Sequence, residues 1–386
     1  NKDIIFLSLL VVSIYFIFEF FKKKDNRNLF LIFLFLALLT ATRIIGFYFF
    51  LIFIIFLILE VFENKKNHIN FKKFLKIATA YFIFTYLFWP LLWADPLNNF
   101  IFSLNSMSDY NWSGFVFYLG KYHHSFFLPW HYVPVWILIS SSLFLVILMI
   151  ASAIFAIFRF IKRIIKISHE NNNFQLWKNH KEYLLYFNFF LIFIPLLGII
   201  FNKSTLYTGW RHVYFVYPSL IIICSICILY LTEYFRKNKI FKIFILSFCS
   251  LIIINNFYNL VKLHPYQNTY FNLLFEKKAN KYFEIDYWGL SNKEALEKIA
   301  TSSENSKICN IGLMNLDMSK KMLSDKNQAK ITLFGEEFKK CNFIITNSYF
   351  ISNPKYTKKY QLPPNFKVID NIKRGNIVIS KTYKKN

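Results

Sequence analysis

Two arginines set in apolar surroundings, Arg43 and Arg211, are the residues of this sequence best suited to chemistry. Arg43 follows Thr40-Ala-Thr and separates two apolar segments that have no polar loop between them. A guanidinium at such a place costs about 2.5 to more than 10 kcal/mol unless it faces a wet cavity or an anion. Arg211 stands in Tyr207-Thr-Gly-Trp210-Arg211-His212, where another apolar run begins. A helix starting near Trp210 would aim its N-terminal N–H groups, Arg211 and His212 at one point, an arrangement suited to an anion. Guanidinium binds phosphate oxygens in bidentate fashion, so a diphosphate or phosphodiester lipid headgroup would match the pair. Both residues also have plainer readings: Arg43 can snorkel outward or satisfy nearby carbonyls, and Arg211 can anchor its helix at an interface.

A third group lies in the stretch 94–130, which holds Asp95, Asp109, Lys121, His123 and His124 and runs into Pro129-Trp130-His131. Its aromatics suit the interfacial belt of a membrane. Imidazoles at such a surface suit hydrogen bonding to a charged headgroup or a sugar. A divalent metal is chemically conceivable, but no His-x-x-x-His or carboxylate spacing supports one, so no metal or cofactor is expected. Asp95, in Trp93-Ala-Asp95-Pro96, is the candidate acid–base residue of this chain, with a solvated turn carboxylate as the alternative.

These residues must be positioned by membrane helices. The 386 residues are 55% hydrophobic, 21% aromatic and 17% charged, with 49 Phe. Soluble domains are about 45–50% apolar and about 25% charged, so the composition excludes a purely soluble or a disordered chain. Apolar runs at 4–20, 29–41, 44–62, 74–93, 132–158, 183–201, 213–231 and 241–260 predict about eight spans of a polytopic α-helical bundle. The second run, at 1.5 Å per residue, makes a helix only about 20 Å long. The net charge of +25 is concentrated in 22–27, 65–76, 159–181 and 236–242, whereas 94–130 and 202–210 are nearly free of Lys and Arg. Positive-inside logic puts the basic loops in the cytoplasm and both residue 1 and everything after 260 on the outer side. Some basic runs can also touch anionic membrane lipids. Helix-turn-helix, RNP-like and zinc-finger spacings are absent, so nucleic acid is not an expected partner. The chain opens on Asn1 with an apolar run almost at once, which predicts that a preceding part is missing.

Two regions follow from this: a transmembrane domain over 1–260 and a small C-terminal extracytoplasmic α/β domain over 261–386. In the latter, 291–300 predicts a helix capped by Ser291 with Glu294 completing a capping box. Strands are predicted at 307–313, 330–334, 342–346, 366–371 and 376–382, the last two joined as a hairpin through Gly375. Cys224, Cys227 and Cys249 fall in spans and read as small apolar residues. Cys309 and Cys341 fall on the oxidising side, where a disulfide can form. Asn111-Trp-Ser113 and Asn202-Lys-Ser204 match the glycosylation acceptor pattern.

Five segments together resemble one family: Thr42-Arg43-Ile-Ile-Gly46; Phe127-Leu-Pro129-Trp130-His131-Tyr-Val-Pro134; Gly209-Trp210-Arg211-His212-Val-Tyr-Phe-Val-Tyr217-Pro218; His264-Pro265-Tyr266-Gln267 with Tyr270-Phe-Asn272; and Asp286-Tyr-Trp288-Gly289-Leu. They look like the bacterial membrane glycosyltransferases of the GT-C fold related to protein O-mannosyltransferases and the lipid A aminoarabinose transferase, and the likeness runs from Asn1 to about Ile299. It implies an enzyme in the bacterial inner membrane that moves a hexosyl or pentosyl group from a polyprenyl-phosphate carrier to a lipid, glycan or protein acceptor on the outer face. Carried over by position, Arg43 and Arg211 would stabilise the departing polyprenyl phosphate, with His212 and His131 nearby. The family's acidic residue in its first outer loop has no counterpart here, so the main catalytic carboxylate is expected upstream of residue 1. A transporter or flippase of lipid-linked saccharide, or a non-catalytic envelope assembly protein, is the alternative. Transporters often carry inverted repeats and paired broken helices, and one short hairpin without a second copy favours the enzyme.

Overall fold

The structure is a computed structural model and describes residues 2–63, 71–108, 112–169, 175–311, 316–347 and 362–386. The described chain is mainly helical with a small C-terminal sheet. It begins with α1 (Lys2–Lys23), α2 (Asn26–Thr42), α3 (Gly46–Glu63), α4 (Phe71–Phe88) and α5 (Pro96–Ser108). A hairpin of β1 (Phe115–Tyr118) and β2 (Lys121–His124) leads to α6 (Tyr132–Ile139), α7 (Leu143–His169), α8 (His180–Phe201), α9 (Val216–Tyr234) and α10 (Lys239–Lys262).

Among the described residues, five helices, α1, α7, α8, α9 and α10, are long and apolar enough to cross a membrane, and five of the eight predicted runs coincide with them. The other three runs fall largely in α2, α3 and α4, whose described apolar stretches are Asn26–Thr42, Gly46–Glu60 and Ala78–Phe88. The run predicted at 132–158 is broken into α6 and α7 at Ser140–Ser142. Asn272 explains the break: its side-chain amide donates to Leu138 O (2.8 Å) and Ser141 O (3.2 Å), and its N–H donates to Ile139 O. The last carbonyls of α6 therefore have partners outside the helix and it can stop.

By contact the chain forms two compact units. The first joins Asn1–Trp112, Val146–Leu206 and Trp210–Leu246; the second joins Ser113–Leu145, Tyr207–Gly209 and Ser247–Asn386. This division differs from a cut at residue 260, because the second unit takes in the β1–β2 hairpin and α6.

In the first unit, α1 shows how the sequence divides its faces. Phe6, Leu10, Ile14, Ile17 and Phe21 are buried, whereas Ile4, Val11 and Tyr15 are exposed. A helix apolar on both faces suits lipid outside and protein inside. Since lipid is as apolar as leucine, contacts of shape and buried polar links hold such helices together. Phe50 stacks on Tyr81 with centroids 3.7 Å apart, and the Tyr81 hydroxyl meets Thr40 Oγ1 at 2.7 Å. At the other end of α3, Glu60 accepts from Lys24 Nζ (2.5 Å) and Trp177 Nε1 (2.9 Å), and Arg159 pairs with buried Glu182.

In the second unit, α11 (Ala279–Tyr282) and α12 (Asn292–Ser302) precede a five-stranded sheet. Its strands are β3 (Ser306–Ile311), β4 (Ile331–Leu333), β5 (Phe343–Asn347), β6 (Phe366–Arg374) and β7 (Ile377–Lys385), with α13 (Leu316–Lys320) and α14 (Asp325–Ala329) between β3 and β4. The order is β4-β3-β5-β7-β6; β3 is parallel to β4 and β5, and β7 is antiparallel to β5 and β6. The predicted strands and the Gly375 hairpin are therefore present, with residues 312 and 313 outside the described residues. Cys309 and Cys341 are bonded, with Cα atoms 5.8 Å apart. The predicted capping box does not form. Ser291 donates its hydroxyl to Asp286 instead, and Glu294 accepts from the Tyr266 hydroxyl (2.7 Å) and Arg374 (3.1 Å).

Candidate anion site

The α2–α3 turn is built by Gly46. A Cβ there would lie 2.5 Å from Thr40 N and 2.6 Å from Thr40 Cα, both backbone atoms that cannot yield cheaply. Only glycine lets α3 start this close to α2, and the close start places Arg43 at the apex. Arg43 closes α2 in extended conformation, with its N–H on Leu39 O at 3.1 Å.

Arg43 and Arg211 meet on one carboxylate. Asp3, in the first turn of α1, pairs through Oδ1 with Arg43 Nη2 and through Oδ2 with Arg211 Nε, the latter at 3.0 Å. The Asp3 side chain is 11% exposed, and those of Arg43 and Arg211 are 21% and 31% exposed. Two guanidiniums thus share one carboxylate, and both keep accessible surface. Nearby in the chain, buried Phe6, Phe49 and Phe215 pack on one another with centroids 6.1, 6.0 and 5.5 Å apart, which ties the starts of α1 and α3 to the approach to α9.

Two expectations about Arg211 are corrected. The helix does not begin near Trp210: Arg211–Val213 is a short 3₁₀ turn, and α9 proper starts at Val216. The N–H groups of a long helix therefore do not open at Arg211. His212 is not a second cation at neutral pH, because burial and then the charges of Arg211 and Arg43 push its imidazole down to about 4.

The other predicted residues lie apart from this cluster in their contacts. Asp95 begins α5, where its carboxylate accepts from the Asn98 N–H (3.1 Å) and side-chain amide (2.7 Å). Those hydrogen bonds hold its pKa below the usual carboxylate range. These are the contacts of a helix-capping carboxylate. His131 belongs to the second unit, at the start of α6, with Nδ1 2.6 Å from the Tyr118 hydroxyl. Among the described residues no group of three or more His, Cys, Asp or Glu is arranged to hold a metal ion. Asp109 and Asn111 lie outside the described residues.

Two further carboxylates in the second unit had no role assigned from sequence, although Asp286 opens one of the five family-like segments. Glu284 is buried, and desolvation raises its pKa to about 8 against the backbone N–H groups of Gly209, Phe117 and Thr208 that favour its charged form. Thr208 and Gly209 both have positive φ, 55° and 66°, which turns consecutive N–H groups toward one acceptor. Asp286, fully buried with φ 50°, accepts from the N–H groups of Leu290 (2.8 Å) and Ser291 (2.9 Å) and organises the turn before α12.

No family model, curated protein or solved structure matches the chain.

Proposed function

We propose that this chain is an integral membrane glycosyltransferase, which moves a sugar from a polyprenyl-phosphate carrier to a lipid, glycan or protein acceptor. The observation that carries the reading is the convergence of Arg43 and Arg211 on Asp3. Two partly buried guanidiniums at the ends of apolar helices suit a phosphate oxyanion.

In such a transfer the bond from the sugar's anomeric carbon to the phosphate oxygen breaks, a bond to the acceptor hydroxyl oxygen forms as that hydroxyl gives up its proton to a base, and negative charge grows on the departing phosphate. Pre-placed cations lower that barrier because they need no reorganisation at the moment of reaction. His212, neutral beside them, offers a hydrogen bond without adding charge. An outer location for the C-terminal domain is supported by the Cys309–Cys341 disulfide, since such bonds persist in oxidising compartments.

The test is transfer from a defined polyprenyl-phosphate sugar by the full-length protein in lipid nanodiscs. Arg43→Ala and Arg211→Ala are each expected to lower turnover by about 10²–10³-fold while the protein still inserts and purifies as a monodisperse species. Unchanged turnover in both variants would remove the donor-site reading.

A further inference from the structure

We propose that the basic end of α7 holds an anionic phospholipid, whose phosphodiester meets the buried guanidinium of Arg163. The site is separate from Arg43 and Arg211 and does not depend on the donor reading. Arg211 lies before the start of α9, whereas Arg159, one turn from Arg163, lies over the ring of Tyr230 near the end of α9, 4.3 Å from its centroid. From Leu143 to Arg163, α7 rises about 30 Å at 1.5 Å per residue, which is about the thickness of bilayer hydrocarbon. A span that starts at one edge of the hydrocarbon therefore brings Arg163 to the headgroups at the other.

Arg163 is nonetheless only 8% exposed; its Nε is sealed from solvent without an acceptor, and no carboxylate pairs with it among the described residues. Arg159, on the same face of α7, takes the nearby one. Glu182 accepts from Arg159 through Oε1 and from the Lys178 N–H through Oε2 at 2.8 Å, so both of its oxygens are engaged. Arg159 Nε and the Tyr186 hydroxyl are also buried without partners, and Tyr186 lies within electrostatic reach of both arginines. A buried guanidinium without an anion is unfavourable, and an anion supplied from outside the chain relieves it. A phosphate suits the guanidinium fork because two of its oxygens can accept in parallel. The same turns of α7 point to a lipid as its source: Phe158, Ile161, Ile164 and Ile165 are exposed, which gives acyl chains an apolar surface close to the guanidinium. A free phosphate has no use for that surface.

The experiment titrates full-length protein in detergent with phosphatidylglycerol or phosphatidylcholine and counts bound lipid by native mass spectrometry. Wild type is expected to bind phosphatidylglycerol at least about tenfold tighter than phosphatidylcholine, and Arg163→Gln to lose about that factor. Lys162→Gln removes an exposed charge of the same basic run and should leave the preference unchanged. Millimolar inorganic phosphate should displace no lipid. Equal affinity for the two lipids in wild type overturns the inference, even if Arg163→Gln proves too unstable to purify. So does a folded Arg163→Gln that keeps the preference. A loss in Lys162→Gln as large as in Arg163→Gln would show diffuse attraction to the basic run and overturn the built site. Displacement by inorganic phosphate would assign the site to a free anion and overturn the lipid. None of these outcomes alters transfer from the donor lipid, which Arg43 and Arg211 test.

Discussion

Arg211 donates through Nε to Asp3 Oδ2 at 3.0 Å across 208 positions of sequence, and Arg43 pairs with the other oxygen of the same carboxylate. Three helical ends are thereby joined by charge at one point: the start of α1, the end of α2 and the turn before α9. Each pairing alone would be ordinary. Together they bring two partly buried guanidiniums to one carboxylate, which is why the cluster, and not the exposed lysines of the basic loops, is the candidate for anion chemistry.

Gly46 is the steric condition for that cluster. Gly46→Ala should force α3 away from Thr40 and move Arg43, at a cost of about 1–3 kcal/mol, the usual range for overpacking. Thermal unfolding in detergent would report the loss. Donor binding should weaken in parallel, even though residue 46 contributes no side chain to the site.

His212 provides a pH test. Its pKa is depressed to about 4, so the folded protein keeps it neutral while the unfolded chain protonates it near its ordinary 6.5. The stability it contributes is therefore present above about pH 6.5 and is lost as pH falls toward 4. Histidine NMR should show no protonation of His212 between pH 5.5 and 7.5. A titration midpoint near 6.5 would contradict the assignment.

Glu284 gives the opposite slope. Its carboxyl is raised to about 8 by burial, so between the unfolded value near 4.5 and about 8 the folded state holds the extra proton. Its contribution is fully present below about pH 4.5 and declines by up to about 1.4 kcal/mol per pH unit until ionisation near 8. Glu284→Gln, isosteric and uncharged, should flatten stability against pH over that window. An unchanged profile in the variant would assign the slope elsewhere.

Much of the helical layout was legible because apolar runs and basic loops are local signals. The eight runs fall largely in helix, five of them in helices long enough to span a membrane, and the strands of the C-terminal sheet fell where β-branched and aromatic residues alternate between turns. Arg43 and Arg211 were also legible, since a cation in an apolar context stands out by itself. Asp3 was not. It sits in the first turn of a span, where an acidic residue needs no special reason, and nothing local ties residue 3 to residues 43 and 211. The break before α7 was hidden for the same reason: the groups that end α6 come from Asn272, far along the chain. The capping box at Ser291 failed because buried Asp286 offers that hydroxyl a closer acceptor.

The Cys309–Cys341 bond joins β3 to the residues just before β5, two neighbouring strands of the sheet. Replacing both cysteines with serine should lower the stability of the C-terminal domain by about 2–4 kcal/mol. Limited proteolysis after 320 under denaturant titration would show it. Protein isolated with thiols trapped should contain this pair oxidised.

The most direct measurement is a cryo-EM structure of the full-length protein in nanodiscs with a polyprenyl-phosphate sugar bound. The expected result is phosphate density in contact with both Arg43 and Arg211 beside Asp3. Phosphate bound elsewhere, or either guanidinium turned into the acyl chains, would contradict the donor site.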